Sequence, residues 1–127
     1  MGDFLSQYNF LEKELLEEIH NIGIRKTFQA NEVLIREGQF ISTFPLVLQG
    51  LIRISRNSDE GNELLLYYLQ KNEACAMSLT CCMAKLTSNV KAIAEEETEV
   101  IMLPVEMIDI WIIKYTSWKQ FVMQTFQ

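Results

Sequence analysis

The sequence has one histidine, His20, and three cysteines, Cys75, Cys81 and Cys82. A single imidazole excludes metal enzymes built on two or three histidines. Three thiols confined to residues 75–82 are not the paired framework of a small secreted domain. With no thiol before Cys75, one chain cannot supply the four thiolates of an iron–sulfur cluster. Proline occurs twice and glycine five times, without clustering, so no linker, repeat or low-complexity tract divides the chain. No apolar run approaches the ~20 residues of a membrane-spanning helix. The first residues, MGDFLSQYNF, lack the basic start of a secretory signal. The expectation is a cytoplasmic protein with no membrane partner. Basic residues are outnumbered, 11 to 17, giving a net charge of −6. Such a surface is poor at holding nucleic-acid phosphates by itself. Gly-x-Ser-x-Gly, P-loop and paired-histidine motifs are all absent, so the chain does not read as an enzyme.

What is present suits one domain of 127 residues. Leu11, Leu15, Leu16 and Ile19 recur at helical spacing, opposite Glu12, Lys13, Glu17 and Glu18. This predicts a helix over 8–22, with Asn9 as cap, Glu12 as the capping-box acid and Gly23 as the stop. From Ile24 to about Val100 short β-rich runs alternate with turn signals. Thr27–Phe28, Val33–Ile35 and Pro45–Leu48 come first. Leu51–Arg56 alternates apolar and polar, and 57–62 is a hairpin loop returning into Leu64–Leu69. Val90–Ala94 and Thr98–Leu103 read as a further pair joined by Glu95–Glu97. This pattern predicts a β-sandwich or barrel. Pro104 fits a first helical position, before the stripe Val105, Ile108, Trp111 and Ile112. Ser117 fits the cap of another helix, with Trp118, Phe121, Val122 and Phe126 on one face.

Four segments in order carry a family resemblance. Asn31–Gly38, NEVLIREG, is similar to a strand-turn "G-x-x-L-F-x-E-G", and Leu46–Ile54, LVLQGLIRI, to "V-L-x-G-x-V-R-V". Asp59–Leu66, DEGNELLL, is similar to "D-E-G-R-E-L-x-L", and Ala92–Leu103 to "A-x-x-x-T-E-V-x-x-I-P". Together they resemble the cyclic-nucleotide-binding effector domain of the Crp/Fnr transcription-regulator superfamily, over nearly the whole chain. The resemblance implies a mostly β (α+β) fold: a double-stranded β-helix jelly roll over 24–103, with a short internal helix near 78–86. Flanking helices lie at 8–22 and 104–127. It also implies one effector domain over 1–127, cut near the start of a dimerisation helix. The helix-turn-helix domain lies outside the chain. The full-length protein is then a homodimer that meets DNA through the missing domain, and Trp118, Phe121, Val122 and Phe126 either begin the dimer seam or, equally, pack back onto the barrel.

Nucleotide-binding relatives carry a Gly-Glu pair for the ribose and an Arg with a following hydroxyl for the phosphate. Counted back from Val90, the Gly-Glu falls on Cys75-Ala76 and the Arg on Leu86; only Thr87 matches. Lys85, beside it, is a point charge rather than a fork. The ribose bond is worth ~1.5–3 kcal/mol, and a buried phosphate without its Arg faces a large desolvation cost. The resemblance therefore implies no strong binding of cyclic AMP. The pocket candidates are Cys75, Ala76, Met77, Ser78, Leu79, Leu86, Thr87 and Ser88, with Met83 beside them. Any ligand there should be more apolar or less anionic.

The pattern Cys75, Cys81, Cys82 resembles a two-cysteine subgroup of these regulators, which implies a thiol or reactive-sulfur sensor. A thiol just before a helix is the better nucleophile, which favours Cys75 as attacker. Cys81 or Cys82 would then resolve it to a disulfide. The alternative is that all three simply fill space. His20 reads as a helix-end cation rather than a haem ligand. Glu95–Glu97 with Glu99 reads as a solvated loop rather than a metal site. Met77, Met83, Met102, Met107 and Met123 read as core filler. No cofactor or metal is expected. Two further readings stand: a binding module with non-standard contacts to a nucleotide or other small molecule, or a dimerisation module that senses nothing.

Overall fold

A computed structural model describes residues 7–75, 79 and 87–126. Helix α1 (Lys13–Ile22) leads into strands β1 (Ile24–Phe28), β2 (Val33–Ile35), β3 (Thr43–Gln49), β4 (Ile52–Asn57), β5 (Glu63–Leu69), β6 (Lys91–Ala94) and β7 (Thr98–Pro104). Helices α2 (Glu106–Lys114) and α3 (Thr116–Thr125) follow. The strands form two antiparallel sheets, β1-β7-β3 and β2-β6-β4-β5. An isolated bridge joins Phe40 to Thr87. The fold is mostly antiparallel β with flanking helices, as the resemblance implies.

Strand β3 explains where the core sits. Phe44 to Leu48 are all buried, so both faces of the strand are covered. One face meets the roll interior and the other meets the terminal segments. The ring of Phe44 lies 6.0 Å from Trp118, and the Tyr8 hydroxyl donates to the Val47 carbonyl at 2.8 Å. Pro45 is tolerated because β3 is an edge strand of its sheet.

Several local expectations are corrected. The first helix begins at Lys13, not at residue 8, and neither Asn9 nor Glu12 makes a side-chain cap at its start. The chain before it turns tightly, with the Leu11 N–H donating to Tyr8 at 2.9 Å, because Tyr8 is anchored to β3. Pro104 ends β7, paired with Thr43, rather than opening a helix, and α2 starts at Glu106. Ser117 lies inside α3, whose cap position is Tyr115. β6 and β7 do not pair with each other. β6 joins β2 and β4 while β7 joins β1 and β3, so Glu95–Glu97 turns a corner between sheets. Hairpins and sheet-crossing corners share the same turn residues, and the sequence pattern does not separate them. The segment read as an internal helix, 78–86, lies outside the described residues except Leu79.

The corner fixes one glycine. Gly50 sits at φ +103°, and a Cβ there would lie 2.5 Å from Thr98 Oγ1 and 2.6 Å from the Glu97 carbonyl. Thr98 is fully buried and cannot yield, since its hydroxyl bonds the Leu51 carbonyl at 3.2 Å and the Glu96 carbonyl at 2.8 Å. Gly61, at φ +86°, has nothing within 4 Å. Gly50→Ala should therefore cost about 2–4 kcal/mol of unfolding free energy, from clash and strain together. Gly61→Ala should cost about 1 kcal/mol, from conformation alone. Urea denaturation of the two variants checks the contrast.

Candidate functional site

The roll places the predicted pocket residues unequally. Cys75 is buried, with its Sγ 3.0 Å from the Tyr67 hydroxyl. Its carbonyl accepts the N–H of buried Leu79 at 2.9 Å. Thr87, the one match to the phosphate cassette, is exposed at the bridge to Phe40. Ser88 is buried and its bonds are turned inward. Its N–H donates to Gln39 at 2.8 Å, its carbonyl accepts from Gly38 at 2.7 Å, and its hydroxyl donates to Val90 at 2.6 Å. Ser88 thus stitches the strand rather than facing a ligand. Ala76, Met77, Ser78, Cys81, Cys82, Met83 and Leu86 lie outside the described residues.

The candidate seam residues also divide. Trp118, Phe121 and Val122 are buried against the chain's own roll, and Phe126 is exposed. Trp118 lies edge-on to Trp111 at 5.3 Å, and Phe121 edge-on to Tyr8 at 6.3 Å. The α3 start folds back onto β3 because that strand's outer face is itself apolar. As placed, these three side chains are unavailable to a second chain. Exposed Ile110, Ile113, Met123 and Phe126 are the apolar side chains of α2 and α3 that face outward.

Two acids, Glu12 just before α1 and Glu18 within it, read from sequence as part of a solvated face, hold the terminal helices. The Glu18 carboxylate accepts from the Tyr115 hydroxyl, from Lys114 Nζ at 3.1 Å and from Trp111 Nε1 at 3.5 Å. The Glu12 carboxylate accepts from the Ser117 N–H at 3.0 Å and its hydroxyl at 2.9 Å, while the Glu12 N–H donates back to Ser117 Oγ at 2.9 Å. This is a capping box split between two helices: each residue satisfies an orphan donor at the other's N-terminus. The partners are 105 residues apart, beyond the local spacing that sequence motifs use.

The remaining candidates are surface features. Arg53 pairs with Glu95 and, at 3.5 Å, with Glu63, which also meets Lys91 at 3.5 Å. Glu95, Glu96 and Glu97 are exposed, as is His20. Met102 and Met107 lie against the core and Met123 is exposed. Among the described residues no three His, Cys, Asp or Glu side chains converge on a metal-sized site. No helix among them is long and apolar enough to cross a membrane. A cavity of about 600 Å³ opens beside α3, between its last turn and the end of β5.

The cyclic nucleotide-binding domain family model matches residues 25–115. No curated protein matches the sequence. Among solved structures, the catabolite activator protein of Thermus thermophilus superposes with a TM-score of 0.75 at 21% identity, over 93% of this chain and 55% of that one. The N-terminal domain of a transcriptional regulator from Streptomyces coelicolor gives 0.71 at 18%, over 98% and 88%. The sensor domain of the regulator DNR from Pseudomonas aeruginosa gives 0.69 at 13%, over 97% and 76%. At these identities the likeness shows the fold alone. The chain spans about half the length of the longer structures it matches, 51% and 55% in two of them.

The clamp on α1 predicts a pH dependence. The Tyr115 hydroxyl, then Lys114 and Trp111, hold the Glu18 carboxyl below its usual range. A depressed carboxyl contributes stability that is present above the ordinary carboxylate range and is lost as pH falls through the folded value. Burial, then Glu18, pushes the Tyr115 phenol up, so its contribution is complete below the ordinary phenol range and is lost in strong alkali. Glu18→Gln should cost about 1 kcal/mol at neutral pH, discounted for solvent exposure. It should also flatten the acid limb of a stability-against-pH curve measured by urea denaturation.

Proposed function

As the chain belongs to the cyclic nucleotide-binding domain family, we propose that it is the sensor part of a Crp/Fnr-type transcription regulator. Its signal is not a cyclic nucleotide, and its output passes through α3 to a DNA-binding domain in a dimer. The observation that carries the reading is the family match over 25–115, combined with a cassette that lacks the family's Arg. Leu86 stands where the fork should be, and Ala76 where the ribose acceptor should be. The attachment of α2 and α3 to the roll supports a relay. Both helices are held by α1 and by β3, so a change inside the roll bears on the helix that leaves it.

The sensing chemistry in this reading is thiol-based. In one route the Cys75 thiolate attacks a polysulfide and displaces the shortened polysulfide, leaving a persulfide from which the Cys81 or Cys82 thiolate expels hydrosulfide to close a disulfide; in the other, peroxide oxidises Cys75 to a sulfenic acid with release of water, and the second thiol expels a further water to close the same bond. A vicinal Cys81–Cys82 bridge would be strained, which favours the pairing with Cys75. The contact of Cys75 with the Tyr67 hydroxyl supports this role. Its burial supports the plainer one, a packed thiol, and sets the requirement that the segment open before reaction.

Melting curves of the reduced chain decide the first part. A ligand at ~100 times its dissociation constant adds ~2.7 kcal/mol, a midpoint shift of several degrees. Excess cyclic AMP or cyclic GMP should produce none; a clear shift with either overturns the reading. Treatment with hydrogen peroxide should then remove two hydrogens, detected by mass, from peptides joining Cys75 to Cys81 or Cys82. Two electrons and two protons reduce the peroxide to water. A chain whose thiols stay unlinked leaves Cys75 as a packing residue.

A further inference from the structure

The cavity beside α3 is built from aromatic walls. Phe10, Tyr67, Tyr68 and Phe121 line it, with Glu73 and Gln124 among the polar residues at its edge. Its volume of about 600 Å³ falls within the range of small-molecule sites. The walls are fixed without a ligand. Phe10 and Phe121 lie 5.7 Å apart at 39°, and Tyr8 locks both by ring contact while its hydroxyl holds Val47. The floor turn is fixed as well: Asn72, at φ +68°, donates to Val47 at 3.2 Å, and Glu73 accepts the Gln70 N–H at 2.6 Å.

The charge of the lining sets the ligand class. Among the described residues, Glu73 is the one charged side chain around the cavity, and no Lys, Arg or His lines it. The chain as a whole carries −6. Among the described residues, an anion placed there meets a carboxylate and no counter-charge. Aromatic side chains favour a flat ring in offset or edge contact. We infer that this cavity binds a planar heteroaromatic molecule, neutral or cationic, seated among Phe10, Tyr67 and Phe121 with its polar edge toward Gln124 and Glu73. Tyr67 to Ala74 precede the residues aligned with the phosphate cassette, and Phe121, Gln124 and Thr125 belong to α3, so an occupant touches the element proposed to carry the output. Binding is a property of this chain itself and goes beyond the regulator reading: it stands or falls whichever way the nucleotide and thiol experiments turn out.

The test is a fluorescence titration of the whole chain with two naphthalene probes. One is neutral, 6-propionyl-2-dimethylaminonaphthalene; the other is 1-anilinonaphthalene-8-sulfonate, which carries a negative charge. The neutral probe should bind saturably at one site, at least about tenfold more tightly than the sulfonate. Thr125→Trp, which fills the cavity from α3, should abolish that site, and Gln124→Trp on the same turn serves if the first variant does not fold. Glu73→Lys should shrink or reverse the gap between the probes. Absence of a saturable site, an equal or tighter sulfonate in the unaltered chain, or neutral-probe binding indifferent to the tryptophan variant would each overturn the inference.

Discussion

Two indoles set the position of everything that follows the roll. Trp111 and Trp118 are fully buried, edge-on at 5.3 Å, one from each terminal helix. Each brings roughly 150–250 Å² of surface out of water and must also satisfy its N–H. Trp118 Nε1 donates to the Ile108 carbonyl at 3.2 Å and Trp111 Nε1 reaches Glu18 at 3.5 Å. The pair fits only if the chain breaks between them, and it does so at Tyr115, where an extended residue separates α2 from α3. Phe44 on β3 and Phe121 on α3 complete the seam. The aromatic contacts supply attraction without direction. The acids Glu12 and Glu18 supply the direction, since they accept from fixed donors on the two helices.

That division explains what could be read from the sequence. Periodicity exposed the elements that bury apolar side chains on their own account: the stripe of α1, the run Pro45–Leu48, the hairpin around residues 57–62 and the strand through Ile101. It failed where a long-range partner decided the outcome. Asn9 has the right chemistry for a cap, but Tyr8 is tied to Val47, and the helix starts later. Ser117 has cap chemistry too and uses it on Glu12, across the molecule. Glu95–Glu97 looks like a hairpin tip and is a corner, because Thr98 and Gly50 direct the strand into the other sheet. Trp118, Phe121 and Val122 read as an unpartnered face because their partners, Phe44 and Tyr8, are distant in sequence.

The candidate site was legible mainly in what it lacks. The missing fork at Leu86 and the clustered thiols are properties of composition at aligned positions, visible without a structure. The inward-turned bonds of Ser88, the Tyr67 contact of Cys75 and the aromatic cavity are properties of folding. They divide one stretch of sequence into a stitching serine, a shielded thiol and, just before it, an aromatic chamber. In the proposed reading, a domain of the nucleotide-binding family keeps the roll and its helical attachment while the anion chemistry is lost. Burial of the roll's apolar faces requires the fold, whereas only a phosphate requires the Arg.

The central claim is that α3 is seated on the roll as part of one cooperative unit rather than lying loosely against it. Amide hydrogen exchange, followed by mass spectrometry on peptides from β3, β7 and α3, tests it most directly. The account predicts that amides of residues 116–125 beyond the first turn exchange as slowly as those of 43–49 and 98–104, because all open only when the seam opens. Rapid exchange throughout α3 while both strands remain protected would contradict it.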